Sequence, residues 1–259
     1  MDRCNGVSKT QLVEDLSIYT LQSDKVSSFW YLPAKEIVEY LCERYKNTSH
    51  VLEIGPGVVP FPLATVSIGY NEKIKDYKMV DIDTTRFPFE DNQFGFSYCR
   101  HVLEDIQNPD FAISEIFRTS SAGYIETPSP LVEITRNVDT GTMGLSYCGY
   151  IHHRYIIWSY LDTVYILPKY PIIEHLVNDP KLTSILDNYP IYWNNYILWE
   201  KPMKTVMYKN GVNMEIRQDY LNLLRRSVWE SIMNTNLFIK NTPIFTEVRV
   251  YPDTFSNQV

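Results

Sequence analysis

The stretch VLEIGPGVVPFP, residues 51–62, decides how this chain is read. A run of strand-forming residues ends in Gly55 and Gly57, in a sequence with only 10 glycines among 259 residues. Glycine permits tight turns and close approach of a ligand, at an entropic cost. A glycine turn at the carboxyl end of a strand is where open α/β sheets seat nucleotide-like cofactors. On this fragment alone an ordinary strand-to-helix turn stays open, because a short glycine motif is weakly specific.

Working outward, PAKEIVEYLCERYK before the motif predicts a helix, with Pro33 in its first turn and Ile37, Leu41 and Tyr45 on one face. After the motif, PFPLA can begin a helix only beyond Pro62, since proline belongs in a first turn. ATVSIG, YKMVDID, FGFSYC and GYIET read as further strands. NPDFAISEIFRTSSAG reads as a helix with Asn108 as N-cap and Pro109 in its first turn. Strands alternating with helices or loops argue for a mostly parallel sheet. The second half changes character. YIIW and TVYIL predict a hairpin, and YWNNYILWE with KTVMYK a second strand pair. Tyr220, Leu224, Val228 and Ile232 recur four apart and predict an amphipathic helix, and TPIFTEVRVY reads as a last strand.

Composition narrows the function classes. A net charge of -7 argues against a broad nucleic-acid-binding face, which needs clustered Lys and Arg. Cys4, Cys42, Cys99 and Cys148 are scattered with no CxxC pair, so they read as reduced thiols of an intracellular protein. The first sixteen residues lack a signal-peptide core and no run reaches membrane-span length, so the expected location is cytoplasmic, with no membrane partner.

With GPG in place, the segment FPFEDNQFGFSYCRHVLEDIQNPDFAISEIFRTSSAGYIETPSP resembles the class I S-adenosylmethionine-dependent methyltransferases, within the methyltransferase-domain group that carries LPF…HVLEH-type motifs. The resemblance covers residues 51 to about 130. It implies a Rossmann-like, doubly wound, mostly parallel sheet with an N-terminal helical segment (1–46), a methyltransferase-like core (47–170) and a C-terminal α+β extension (171–259). It also implies S-adenosylmethionine as cofactor. By position, Glu53, Gly55 and Gly57 match the motif beside the cofactor's methionine part, and Asp83 matches the acid that faces the adenine. Cys99, Arg100 and His101 follow the fourth strand, where the sulfonium methyl passes. Cys99 is therefore a cofactor contact, with Arg100 and His101 as catalytic candidates and His101 the candidate general base. The family usually carries an acid at the end of the second strand for the ribose hydroxyls. Gly69 stands there in this chain, with Glu72 three residues later, and Gly95 replaces a common acid at the fourth strand.

Farther along, the HHR triplet, His152, His153 and Arg154, matches a histidine-rich strand pair found after this core in a subset of such proteins, and is expected to face the methyl acceptor. Adjacent histidines on a strand point to opposite faces, so no metal site is expected from them. Glu104 and Asp105 read as first-turn acids of a helix, and Trp193, Tyr196 and Trp199 as either core or an aromatic acceptor wall. The function expected is methyl transfer to a small molecule or protein side chain. The alternative is a catalytically inactive methyltransferase-like binding or scaffold protein.

Overall fold

Five short strands in the first half of the chain pair in parallel in a computed structural model that describes residues 35–57, 59–69, 77–139, 147–176, 181–208 and 217–242. They are β1 (Val51–Ile54), β2 (Val66–Gly69), β3 (Tyr77–Met79), β4 (Phe96–Arg100) and β5 (Gly123–Pro128). With β8 (Asn194–Trp199) they form one sheet in the order β3-β2-β1-β4-β5-β8. β1 lies centrally, with Leu52 opposite Val66 on one side and Ser97 on the other. The chain winds first to β2 and β3, then returns to add β4 and β5. That reversal is the switch point at which such sheets bind ligands. The strand reads VLEI, without alternation, because every residue of it is buried, as in a sheet covered on both faces.

No helix joins β1 to β2, against the expectation of one beyond Pro62: the described residues there form only turns. Pro60 and Pro62 flank Phe61 and remove the amide donors that a helix interior needs. Phe61 instead stacks on Tyr98 at 4.3 Å, and Thr65 N donates to Val51 O, which closes the loop onto the sheet. Helix α1 (Lys35–Tyr45) buries Ile37, Val38, Leu41 and Cys42, and Tyr45 stacks on Phe96. Pro33 and the rest of residues 1–34 lie outside the described residues.

Helix α2 (Pro109–Thr119) explains much of the long motif. Arg118 donates to the carbonyls of Phe87 and Phe89 and to Asp91, while Glu115 accepts from Phe87 N. The FPFED loop is thus clamped to the helix by charge-assisted bonds. Asn108 occupies the N-cap position, but its side chain makes no cap bond and donates to the Asp83 carbonyl instead.

By internal contacts the chain divides into two units. The first comprises residues up to Val102 with Ile106–Glu126 and Ile197–Met203; the second comprises Leu103–Asp105, Thr127–Tyr196 and the chain from Lys204 onward. Within the second, α3 (Pro130–Ile134) is followed by β6 (Tyr155–Tyr160) and β7 (Thr163–Pro168), which form the expected hairpin about Leu161 and Asp162. Then come α4 (Ile173–Leu176) and α5 (Lys181–Asn188). The second expected strand pair does not form. β9 (Lys204–Met207) runs parallel to β7 in a three-stranded sheet, while β8 belongs to the six-stranded one. Helix α6 (Arg217–Asn241) buries Tyr220, Leu224, Val228 and Ile232, the four residues picked out by their spacing. Burial of Leu224, Val228 and Ile232 stabilises the fold by about 1.5–3 kcal/mol each. Trp158 is buried, and its indole N–H donates to Glu230 at 2.7 Å. The expected last strand, TPIFTEVRVY, falls almost entirely outside the described residues.

Candidate functional site

Strand β1 ends in a turn that only glycine fits. Gly55 has φ of +63°, and a Cβ on it would lie 2.3 Å from Val102 Cγ2. Its N–H donates to Ile68 O, holding the turn to β2. Gly57 differs: it is exposed, and a Cβ there would meet no atom within 4 Å. Gly55 is therefore a folding requirement, and Gly57 is not required by packing among the described residues. Glu53 lies beneath the turn, 2% exposed, accepting from Phe61 N at 2.8 Å and from Ser67 Oγ at 3.2 Å. Burial raises its carboxyl to about 7, with those two bonds opposing the rise.

At the end of β4, Cys99 is buried, Arg100 Nε donates to Glu126 Oε1 at 2.7 Å, and His101 Nε2 lies 3.6 Å from the same oxygen. Glu126, on β5, also accepts from the Tyr124 hydroxyl. Burial alone would raise the Glu126 carboxyl, but Arg100, His101 and Tyr124 bring it down to about 2, so it stays ionised. His101 has φ of +51°, a left-handed conformation uncommon outside glycine, and its N–H donates to Glu126 O. Glu126 is thus the residue that gathers both catalytic candidates, and the sequence reading missed it. The available signal was a lone acid in the apolar strand GYIETP.

Asp83 stands after β3. Its Oδ1 accepts from the N–H groups of Gln107 and Asn108, which fixes the approach to α2. Gly69, at the end of β2, has φ of +140°, outside the region that Asp tolerates. Glu72 lies outside the described residues. Gly95 precedes the amino end of β4, away from the carboxyl edge, and a Cβ on it would press on Thr48.

In the second unit the histidines are not on a strand, contrary to the sequence reading. Residues 151 and 152 form a turn, and β6 begins only at Tyr155. Both rings come to one acid: His152 Nε2 and His153 Nε2 each lie 3.9 Å from Asp105 Oδ1. His153 Nδ1 meets Glu133 Oε1 at 2.6 Å. Arg154 is exposed, and its N–H donates to Glu104 O. Glu104 and Asp105 sit in turns ahead of α2, not in its first turn. His153 also lines a cavity of about 610 Å³, with Arg136, Cys148, Lys169, Tyr170 and Glu174 among its walls. Of the two readings of the aromatic residues, core holds: Trp193, Tyr196 and Trp199 are all buried.

Residues 37–124 match the family model described as "Methyltransferase domain". Among solved structures, the chain is similar to a SAM-dependent methyltransferase from Thermotoga maritima, with 18% identity over 45% of this chain and 57% of that one, TM-score 0.29. It is similar to the plantazolicin methyltransferase BpumL, solved with a triazolic desmethylPZN analog and SAH, with 15% identity over 47% and 55% of the two chains, TM-score 0.31. It is also similar to an S-adenosylmethionine-dependent methyltransferase from Mesorhizobium loti, with 14% identity over 53% and 85%, TM-score 0.31. The chain thus spans little more than half the length of the first two, and at these scores none of the three bears on its chemistry. No curated protein matches. The family match supports S-adenosylmethionine as the cofactor. Among the described residues, no helix is long and apolar enough to cross a membrane.

Proposed function

We propose that this chain is an S-adenosylmethionine-dependent methyltransferase acting on a small molecule or a protein side chain. The observation that carries the reading is the glycine turn at the switch point of the parallel sheet, within the segment that matches the methyltransferase family. S-adenosylmethionine supplies a methyl group on a sulfonium, an already activated carbon. The chain's own contribution is then mainly to align donor and acceptor, which supplies much of the rate of such a displacement.

In this reading Gly55 and Gly57 bring backbone to the methionine part, and Glu53 underpins the turn. Asp83 lies toward the adenine through Oδ2, its Oδ1 being engaged by Gln107 and Asn108. Cys99 lines the cofactor. Arg100 and His101 stand at the reacting end, with Glu126 as the positioning residue for both. A general base is needed only where the acceptor must lose a proton, and His101 is the group for it. His152, His153 and Arg154 are the acceptor-side residues, supported by the cavity that His153 lines. Calorimetric titration with S-adenosylmethionine and its demethylated product tests this: saturable binding of both is expected. Failure of both to bind the folded protein points instead to an inactive scaffold.

A further inference from the structure

The turn that carries His152 and His153 is tied to the turn that carries Asp105 by two backbone bonds: Arg154 N and Tyr155 N both donate to Glu104 O, at 2.8 and 3.3 Å. This pinning makes consecutive histidines converge. Their rings lie 4.4 Å apart, nearly perpendicular, and one ligand atom from each of Asp105, His152 and His153 falls within 4.8 Å of the others. The 3.9 Å separations from Asp105 Oδ1 are too long for hydrogen bonds. We propose that Asp105, His152 and His153 bind a divalent transition-metal ion of the Zn²⁺ type, with Glu133 holding His153 from behind.

Three features support this. Two imidazoles and a carboxylate suit Zn²⁺ and its neighbours better than Mg²⁺ or Ca²⁺, which prefer oxygen-only shells. Next, the Glu133 carboxylate sits 2.6 Å from His153 Nδ1 in a buried contact. Glu133 therefore accepts from Nδ1–H, as the usual outer partner of a metal-bound histidine does, and Nε2 faces Asp105, where a metal would displace any proton it carries. Lys169 Nζ in turn lies 2.5 Å from the other Glu133 oxygen, so that carboxylate is itself fixed. Finally, the closure needed is small. Ligand atoms around tetrahedral Zn²⁺ stand about 3.4 Å apart. The His152 and Asp105 side chains are 60% and 42% exposed, so the closure falls on surface groups, while His153 is held by Glu133. Three protein ligands leave a position open to a further donor.

The inference takes two histidines that the methyl-transfer reading places on the acceptor side, but it is tested by metal binding alone, without methyl transfer. The tag-free full chain is titrated with Zn²⁺ by calorimetry and with Co²⁺ by visible absorption, alongside His152→Ala, Asp105→Asn and Glu133→Gln. The expected result is one saturable site per chain, Co²⁺ d–d bands, and a rise in melting temperature with Zn²⁺. Affinity should fall at least tenfold in His152→Ala and Asp105→Asn, and about ten- to hundredfold in Glu133→Gln. The first two changes alter exposed side chains, and thermal melting checks that both proteins are folded, so they keep the test valid if Glu133→Gln misfolds. Absence of saturable binding overturns the proposal, as does unchanged affinity in folded His152→Ala and Asp105→Asn proteins.

Discussion

Glu53 and Glu126 are buried carboxylates in the same sheet whose surroundings drive their protonation in opposite directions. Glu126 has Arg100 and His101 beside it and is held down to about 2, whereas Glu53, which accepts from a backbone N–H and a hydroxyl, rises to about 7 on burial. The raised value makes Glu53 a pH-dependent weak point. Below about pH 4.5 it is protonated in both folded and unfolded chains. As pH rises from there to 7, the unfolded chain loses the proton first, and stability falls across that window. The loss is at most roughly 3 kcal/mol. Glu53→Gln keeps both hydrogen bonds, accepting from Phe61 N and donating to Ser67 Oγ. Its denaturant midpoint should therefore stay flat from pH 4.5 to 7 where the parent's declines, and should exceed the parent's at pH 8. Gly57→Val is the complementary change. Its side chain enters open space, so the melting temperature should hold while S-adenosylmethionine affinity drops more than tenfold by calorimetry; unchanged affinity in the folded variant would remove the cofactor from this turn. Gly69→Asp is not an equivalent repair of the missing ribose acid, because φ of +140° at that position strains any side chain.

Among the elements, the β6–β7 hairpin holds a simple test of local strain. Tyr160 pairs with Thr163, so the loop is Leu161 and Asp162 alone, and Leu161 has φ of +54° with its side chain 70% exposed. A two-residue hairpin turn favours Asn or Gly at such positions. Leu161→Asn should relieve about 1 kcal/mol of left-handed strain and raise the melting temperature by about 2–4 °C. A lower melting temperature would mean that the leucine makes a compensating contact. This hairpin was legible in the sequence, as were the five parallel strands and the buried face of α6, because each is written locally, the strands as short apolar runs between breakers and the helix as a four-residue spacing. What was not legible is non-local. The partner of β9 is chosen by sheet packing, which strand propensity does not specify. The histidine pair was misread because the strand was taken to begin before Tyr155, and a turn reverses the argument from alternating faces. Glu126 escaped notice since Arg100 and His101, which it gathers, come from the end of β4 and the residue after it. For the glycine turn the sequence could say where, but not that Gly55 serves packing against Val102 while Gly57 stays open.

For the molecule as a whole, a net charge of -7 sets the background against which any ligand is chosen. The missing helix between β1 and β2 sharpens that choice. In sheets that bind dinucleotides, a helix starts directly after the glycine turn, and its first N–H groups and the positive end of its dipole draw in the pyrophosphate. Here the described residues between Gly57 and β2 form turns broken by prolines, so no helix start is found among them to meet an anion. Among the described residues this turn therefore offers a diphosphate no helix start, a lack that costs a sulfonium nothing. NADH and ATP at millimolar concentration should fail to displace S-adenosylmethionine in competition calorimetry. Displacement by either at comparable affinity would mean that an anion is held at this turn by groups other than a helix start.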